Sequence, residues 1–182
     1  MIIPFAVGGA VFGLALFAAV FAVLYGIGVA HYDGYVGFAG IVPALIMGVA
    51  SAVGEEIIFR GAVFRILEDS LGTLVALVVS AALFGFLHAA NHGATTVSTI
   101  AIALEAGLLL ALAYAATRSL WFPIGLHFGW NFTEGGIFGQ AVSGGAFPGI
   151  LKTSLTGNDR LTGGAFGPEA SFVAVVVCAA AG

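Results

Sequence analysis

Three observations predict an all-α fold, a polytopic bundle of transmembrane helices. Of the 182 residues, 60% are hydrophobic and only 8% are charged, about a third of the charged fraction usual in soluble domains. Mean hydropathy is +1.13, which is more apolar surface than a single core can hide, so lipid must be the solvent for most of it. The apolar residues also fall into runs near 4–30, 37–64, 73–90, 97–116 and 120–141. Each run is long enough to cross a hydrocarbon layer of ~30 Å. Five Lys plus Arg stand against nine Asp plus Glu, with no basic cluster, which argues against nucleic acid as a partner and against a polybasic lipid-binding surface. The expected partner is the lipid bilayer, and the expected location is the cell membrane, crossed several times.

The first run has no Lys or Arg before it and outlasts a signal-peptide core, so it reads as a retained helix. Within it Gly9 and Gly13 stand at GxxxG spacing, read here as ordinary close packing rather than a dimer motif. The connections His31–Tyr35, Arg65–Gly72, Asn91–Thr96 and Thr117–Ser119 are short, so neighbouring helices should run antiparallel. Arg65 and Arg118 fall on one side, which the positive-inside rule makes cytoplasmic together with the N-terminus. Residues 142–169 are rich in Gly, Ser, Thr, Asn and Pro and include Lys152, Asp159, Arg160 and Glu169, the composition of an extramembrane loop. Ala170–Gly182 is apolar but too short to span, and reads as the opening of a sixth helix cut by the end of the sequence, or as an interfacial segment. The lone Cys178 allows neither an internal disulfide nor a cysteine-based metal site. Residues 1–182 thus form one integral membrane domain, with its polar motifs between about 45 and 135.

Ionisable groups inside hydrocarbon are costly, so each one is by default a functional hypothesis. They recur here in three clusters. Glu55 and Glu56 lie well inside the second run, and Arg60 is i+4 from Glu56 on a helix, placed to pair with it while Glu55 points elsewhere. In the third run Phe84 and His88 share a face, with Asn91 following at i+3. His92 reads as a structural residue at the edge of a loop. In the fifth run His127 and Asn131 form another i, i+4 polar pair. Counted from the side bearing Arg65 and Arg118, Glu55 lies ~16 Å deep, His127 ~12 Å, Asn131 ~18 Å and His88 ~24 Å at the helical rise. Tilts of ~20° absorb much of that spread, so all four are expected to line one buried, water-accessible cavity.

A carboxylate and an imidazole at one point can share the deprotonation of a water, which assigns that work to Glu55 and His88. A second histidine with an amide supplies donors for a developing oxyanion, the role that suits His127 and Asn131. Hydrolysis of a peptide bond by activated water follows. No serine or cysteine stands in an elbow-type motif and the HExxH pattern is absent, which disfavours covalent catalysis. A divalent metal such as zinc is admitted by the same residues, since Glu55, His88 and His127 make a known type of ligand set. The sequence does not choose between metal-bound water and water held directly by Glu55 and His88.

Together these motifs resemble the CPBP (Abi) family of CAAX-protease and bacteriocin-processing membrane proteins, which includes the type II CAAX prenyl endopeptidases. The family's EExxxR is matched by Glu55, Glu56 and Arg60; its FxxxH by Phe84 and His88, extended by Asn91; its HxxxN by His127 and Asn131. The approach Thr117–Ile124 is similar as well. The resemblance implies an intramembrane protease in which Glu55 and His88 activate water and His127 with Asn131 form the oxyanion site. Glu56, Arg60, Phe84 and Asn91 would support them, and the substrate would be a peptide or membrane protein. The family is commonly labelled a metallopeptidase.

Two acids lie outside the motifs. Glu105, in the fourth run, has no basic partner within two turns and either lines the cavity or rests against a backbone carbonyl. Glu134, i+3 from Asn131, either extends the site or marks the interface, and the interface is favoured. Trp121, Trp130 and the sixteen phenylalanines are mostly lipid-facing or packing residues. Competing functions are a non-catalytic immunity or scaffold protein on the same fold, and a proton-coupled transporter, against which the absence of a visible inverted repeat argues.

Overall fold

The computed structural model describes residues 2–182, and the architecture is a helical bundle. Helix α1 runs over Ile2–Gly26, α2 over Ile41–Leu71, α3 over Thr73–Ala90 and α4 over Thr96–Thr117. Among the described residues these four are long and apolar enough to cross a membrane. The fifth expected span is shorter: α5 is an α-helix over Trp121–Asn131 that continues as a π-helical turn over Phe132–Ile137. Large apolar side chains on the outer faces, such as Ile3, Val42, Leu74 and Val78, are more than half exposed, as lipid-facing residues must be.

Several expectations are corrected. The first helix stops at Gly26, and the connection His31–Tyr35 is not a plain turn. Ala30–Tyr35 forms strand β1, which pairs antiparallel with β2, Leu151–Leu155. Its second strand lies inside the region read as an extramembrane loop and its first in a connection read as a short link, and hydrophobic periodicity cannot reveal the pairing because the two strands are so far apart in the chain. Arg65–Gly72 is likewise helical up to Leu71, with Gly72 at φ 84° as the breaker. A short helix α6, Asp159–Thr162, is capped by the Asn158 side chain, and α7 covers Phe172–Ala181 with Ser171 capping Ala174.

The most extensive helix pair is α1 against α5, and glycines set its closeness. A Cβ at Gly9 or Gly13 would run into the backbone of Phe122 and Leu126, and one at Gly125 or Gly129 into the backbone of Ala6 and Ala10. Two small-xxx-small faces therefore meet backbone to backbone. The GxxxG pair is an internal packing motif, and it seats the helix that carries His127 between Gly125 and Gly129. Behind it Phe17, Val20 and Leu24 are fully buried, with Phe17 edge-on to Trp130 at 5.1 Å between ring centres.

Three π-helical segments interrupt the bundle: Ile57–Phe64 in α2, Ala103–Gly107 in α4 and Phe132–Ile137 after α5. Such turns upset the regular i to i−4 ladder and concentrate at functional sites. Here they adjoin Glu56, contain Glu105 and follow Asn131.

Candidate active site

The paired acids are separated as helical geometry requires. Glu56 is fully buried and forms an ion pair with Arg60, itself fully buried, at 2.9 Å. The Arg60 guanidinium also donates through Nη2 to the carbonyl of Gly107 at 2.7 Å, and it lies over the Phe84 ring at 4.7 Å. A buried charge pair is tolerated only when its remaining donors and acceptors are matched. The π turn of α4 supplies part of that match with a backbone oxygen, leaving Arg60 Nε and Glu56 Oε2 unpartnered.

Glu56 holds a second cation-capable group, accepting from Nδ1 of His127 at 3.1 Å. This contact crosses from α2 to α5 and orients the imidazole. His127 is 8% exposed, and its remaining nitrogen is Nε2.

Glu55 points away from this pair, toward α3. Its Oε2 lies 3.8 Å from Nε2 of His88 and is buried without a hydrogen-bond partner. At 3.8 Å the two do not bond directly. His88 Nδ1 lies 2.8 Å from the carbonyl of Phe84, and since a carbonyl only accepts, Nδ1 carries the proton. In the neutral ring Nε2 is then an acceptor. Two proton acceptors thus face each other across a gap.

Asn131 donates to Ser51 Oγ at 3.2 Å. Asn91 donates to the carbonyl of Ser143 at 3.1 Å. Phe84 is buried, with its ring 4.7 Å from that of His88 and 6.2 Å from that of His127, so it spaces the two imidazoles.

Glu55, His88, His127 and Asn131 all line one cavity of about 380 Å³, as the depth estimate expects. Its lining includes a helical stripe of α2, Ala44, Gly48, Ser51 and Glu55, and the residues Val142, Ser143, Gly144, Gly145 and Phe147. Sequence reasoning missed Ser51, Ser143 and His92 as lining residues. Ser51 had a usable signal, standing i−4 from Glu55. His92 is exposed yet lines the cavity, so it is more than the edge of a loop. Ser143 is brought in by tertiary structure alone.

Among the described residues no three His, Cys, Asp or Glu side chains are grouped to hold a metal ion. Among the described residues the buried side-chain atoms left unpartnered are Glu55 Oε2, Glu56 Oε2, Arg60 Nε and Glu105 Oε1. Such orphans gather where chemistry is done rather than where the fold is held.

The two outlying acids are both buried. Glu105 lines a small void of about 20 Å³ with His88, His127 and Glu169, and accepts from Cys178 Sγ at 3.5 Å. Glu134 is fully buried rather than interfacial. Trp130 Nε1 donates to it at 3.1 Å, so Trp130 too is inside, at 5% exposure.

Against known proteins, residues 36–133 match the model of the family described as type II CAAX prenyl endopeptidase Rce1-like. That stretch is just over half of the chain and contains all three motifs. The chain is also 34% identical over 89 residues to the "Putative membrane peptidase YdiL" of Bacillus subtilis (strain 168), an alignment covering 47% of this chain and 34% of that protein. The chain thus spans about a third of the length of the curated relative it matches. No solved structure matches it.

Proposed function

The chain belongs to the type II CAAX prenyl endopeptidase Rce1-like family, and from that premise we propose that it is an intramembrane endopeptidase of the cell membrane, cleaving peptides or membrane proteins by direct attack of water. The observation that carries this reading is the facing pair Glu55 Oε2 and His88 Nε2, 3.8 Å apart and both acceptors. One water can donate a hydrogen bond to each once the Glu55 carboxyl turns its buried Oε2 toward the cavity. As its oxygen attacks the scissile carbonyl, its proton passes to this pair, and from there to the leaving amine.

The developing oxyanion needs donors. Asn131 offers its amide once it leaves Ser51 Oγ. For His127 to donate at Nε2 it must carry both protons, and Glu56 at its Nδ1 is the counter-ion such a ring requires. With that ring charged, Glu55, Glu56, Arg60 and His127 form a neutral set, which suits a largely buried site. Ser51 Oγ bonds Asn131 and the carbonyl of Gly48 rather than a histidine, so no base stands ready to make it a nucleophile.

The test is hydrolysis of a fluorogenic peptide library by the detergent-purified protein. Wild type should cleave, and Glu55→Gln and His88→Ala should each lose about 10²-fold or more, the scale of general-base catalysis. Cleavage undiminished in Glu55→Gln would sink the mechanism.

A further inference from the structure

The segment Val142–Gly145 lines the same cavity as Glu55, and its geometry is a strained one. Val142 and Gly145 close a tight turn on each other, the amide of Val142 donating to the carbonyl of Gly145 at 2.9 Å and that of Gly145 to the carbonyl of Val142 at 2.8 Å. Its two central residues, Ser143 at φ 47° and Gly144 at φ 81°, are both left-handed. That turn type favours Gly or Asn at both centres, and a serine there is held against its own preference.

What holds it comes from the far end of the chain. Oε1 of Glu169, 3% exposed, accepts from both the amide and the hydroxyl of Ser143, at 2.6 and 2.8 Å. Glu169 is fixed in turn, since its amide donates to Glu134 Oε1 at 3.1 Å while Trp130 donates to the other oxygen of Glu134. The Ser143 carbonyl accepts from Asn91 at 3.1 Å. A continuous line of hydrogen bonds therefore runs from Trp130, next to Asn131 on α5, through Glu134, Glu169 and Ser143 to Asn91 at the end of α3, beyond His88.

We propose that Glu169 is a positioning residue for substrate: it clamps the Val142–Gly145 turn as a wall of the cavity and so sets the width of the space between that wall and Glu55. The inference rests on the peptidase reading for its kinetic consequence, though not for its structural one. Glu134 is the fixed post behind it. Neither residue lines the larger cavity itself; Glu169 adjoins His88 and His127 only across the small void, and both reach the cavity wall through Ser143.

The experiment compares the full-length protein in detergent with Glu169→Ala, Glu169→Gln and the double variant Glu169→Ala/Ser143→Gly. It reads amide hydrogen exchange over residues 141–147, thermal midpoint, kcat and KM. Glu169→Ala should speed exchange at the turn and raise KM about tenfold, through the loss of both charge-assisted hydrogen bonds to Ser143, with kcat changed less. Glu169→Gln keeps an accepting oxygen and should recover both. Ser143→Gly removes the conformational penalty and should restore KM in the Glu169→Ala background. Unchanged exchange or unchanged KM in Glu169→Ala overturns the proposal, as does a loss that tracks the thermal midpoint and that neither Gln nor the glycine recovers. A wild type that cleaves nothing defeats the peptidase reading instead, and exchange at the turn then decides the clamp alone, faster supporting it and unchanged overturning it.

Discussion

Arg60 reaches from its own helix to the carbonyl of Gly107 on another, 2.7 Å away. One guanidinium thus neutralises Glu56, stacks on Phe84 and ties two π-helical turns together. Because Glu56 is fully buried, Arg60→Met should destabilise the protein by about 3–5 kcal/mol by stranding a charge. The pair Glu56→Gln/Arg60→Met should cost markedly less. Thermal unfolding of the three proteins in one detergent checks this, and equal damage in single and double variants would show that Arg60 matters for packing alone.

Asn131 rests on Ser51 in the free protein. If it turns to the oxyanion during reaction, Asn131→Ala should lower kcat by about 10²-fold while leaving KM nearly unchanged. Steady-state kinetics on a cleaved peptide decide the point. A raised KM with kcat intact would make Asn131 a binding group.

Chelation separates two kinds of hydrolysis. Since the described acids and histidines form no grouping of three around a point, activity should survive dialysis against a strong chelator. Loss that zinc restores would put a metal between Glu55 and His88 and replace direct water activation.

Gly129 meets the backbone of Ala10, whereas Gly26 has open space beside it. Gly129→Val should cost about 1–3 kcal/mol or more through overpacking and should reduce activity by displacing His127. Gly26→Ala should be tolerated. The comparison is read from thermal midpoints and membrane yield, and equal tolerance at both sites would mean that α1 and α5 do not approach so closely.

The catalytic candidates were legible because membranes make polar residues conspicuous. Glu55, His88, His127 and Asn131 stand out from apolar runs, and helical spacing alone separates the free Glu55 from the paired Glu56. The rest of the site was not. Ser143 and the buried pair Glu134 and Glu169 sit in or beside segments whose composition reads as loop or interface. Their contacts join residues 26 and 35 positions apart, and no local pattern records that. The ribbon was hidden for the same reason. Helix ends were displaced where π-helical turns and a lone Gly72 set the boundary rather than a change in hydrophobicity.

The ribbon also orders the molecule in time. His31 bonds Thr156 at 2.8 Å across a separation of 125 residues, so β1 must wait, unpaired, while every helix from α2 to α5 is synthesised and inserted. Long-range closure of this kind comes late in folding. Glu55, His88 and His127 emerge from the ribosome well before β2, and the clamp at Glu169 follows it. The nascent protein therefore carries its polar residues into the membrane before the chain that walls their cavity exists, and the cavity is completed only once residues 142–169 arrive.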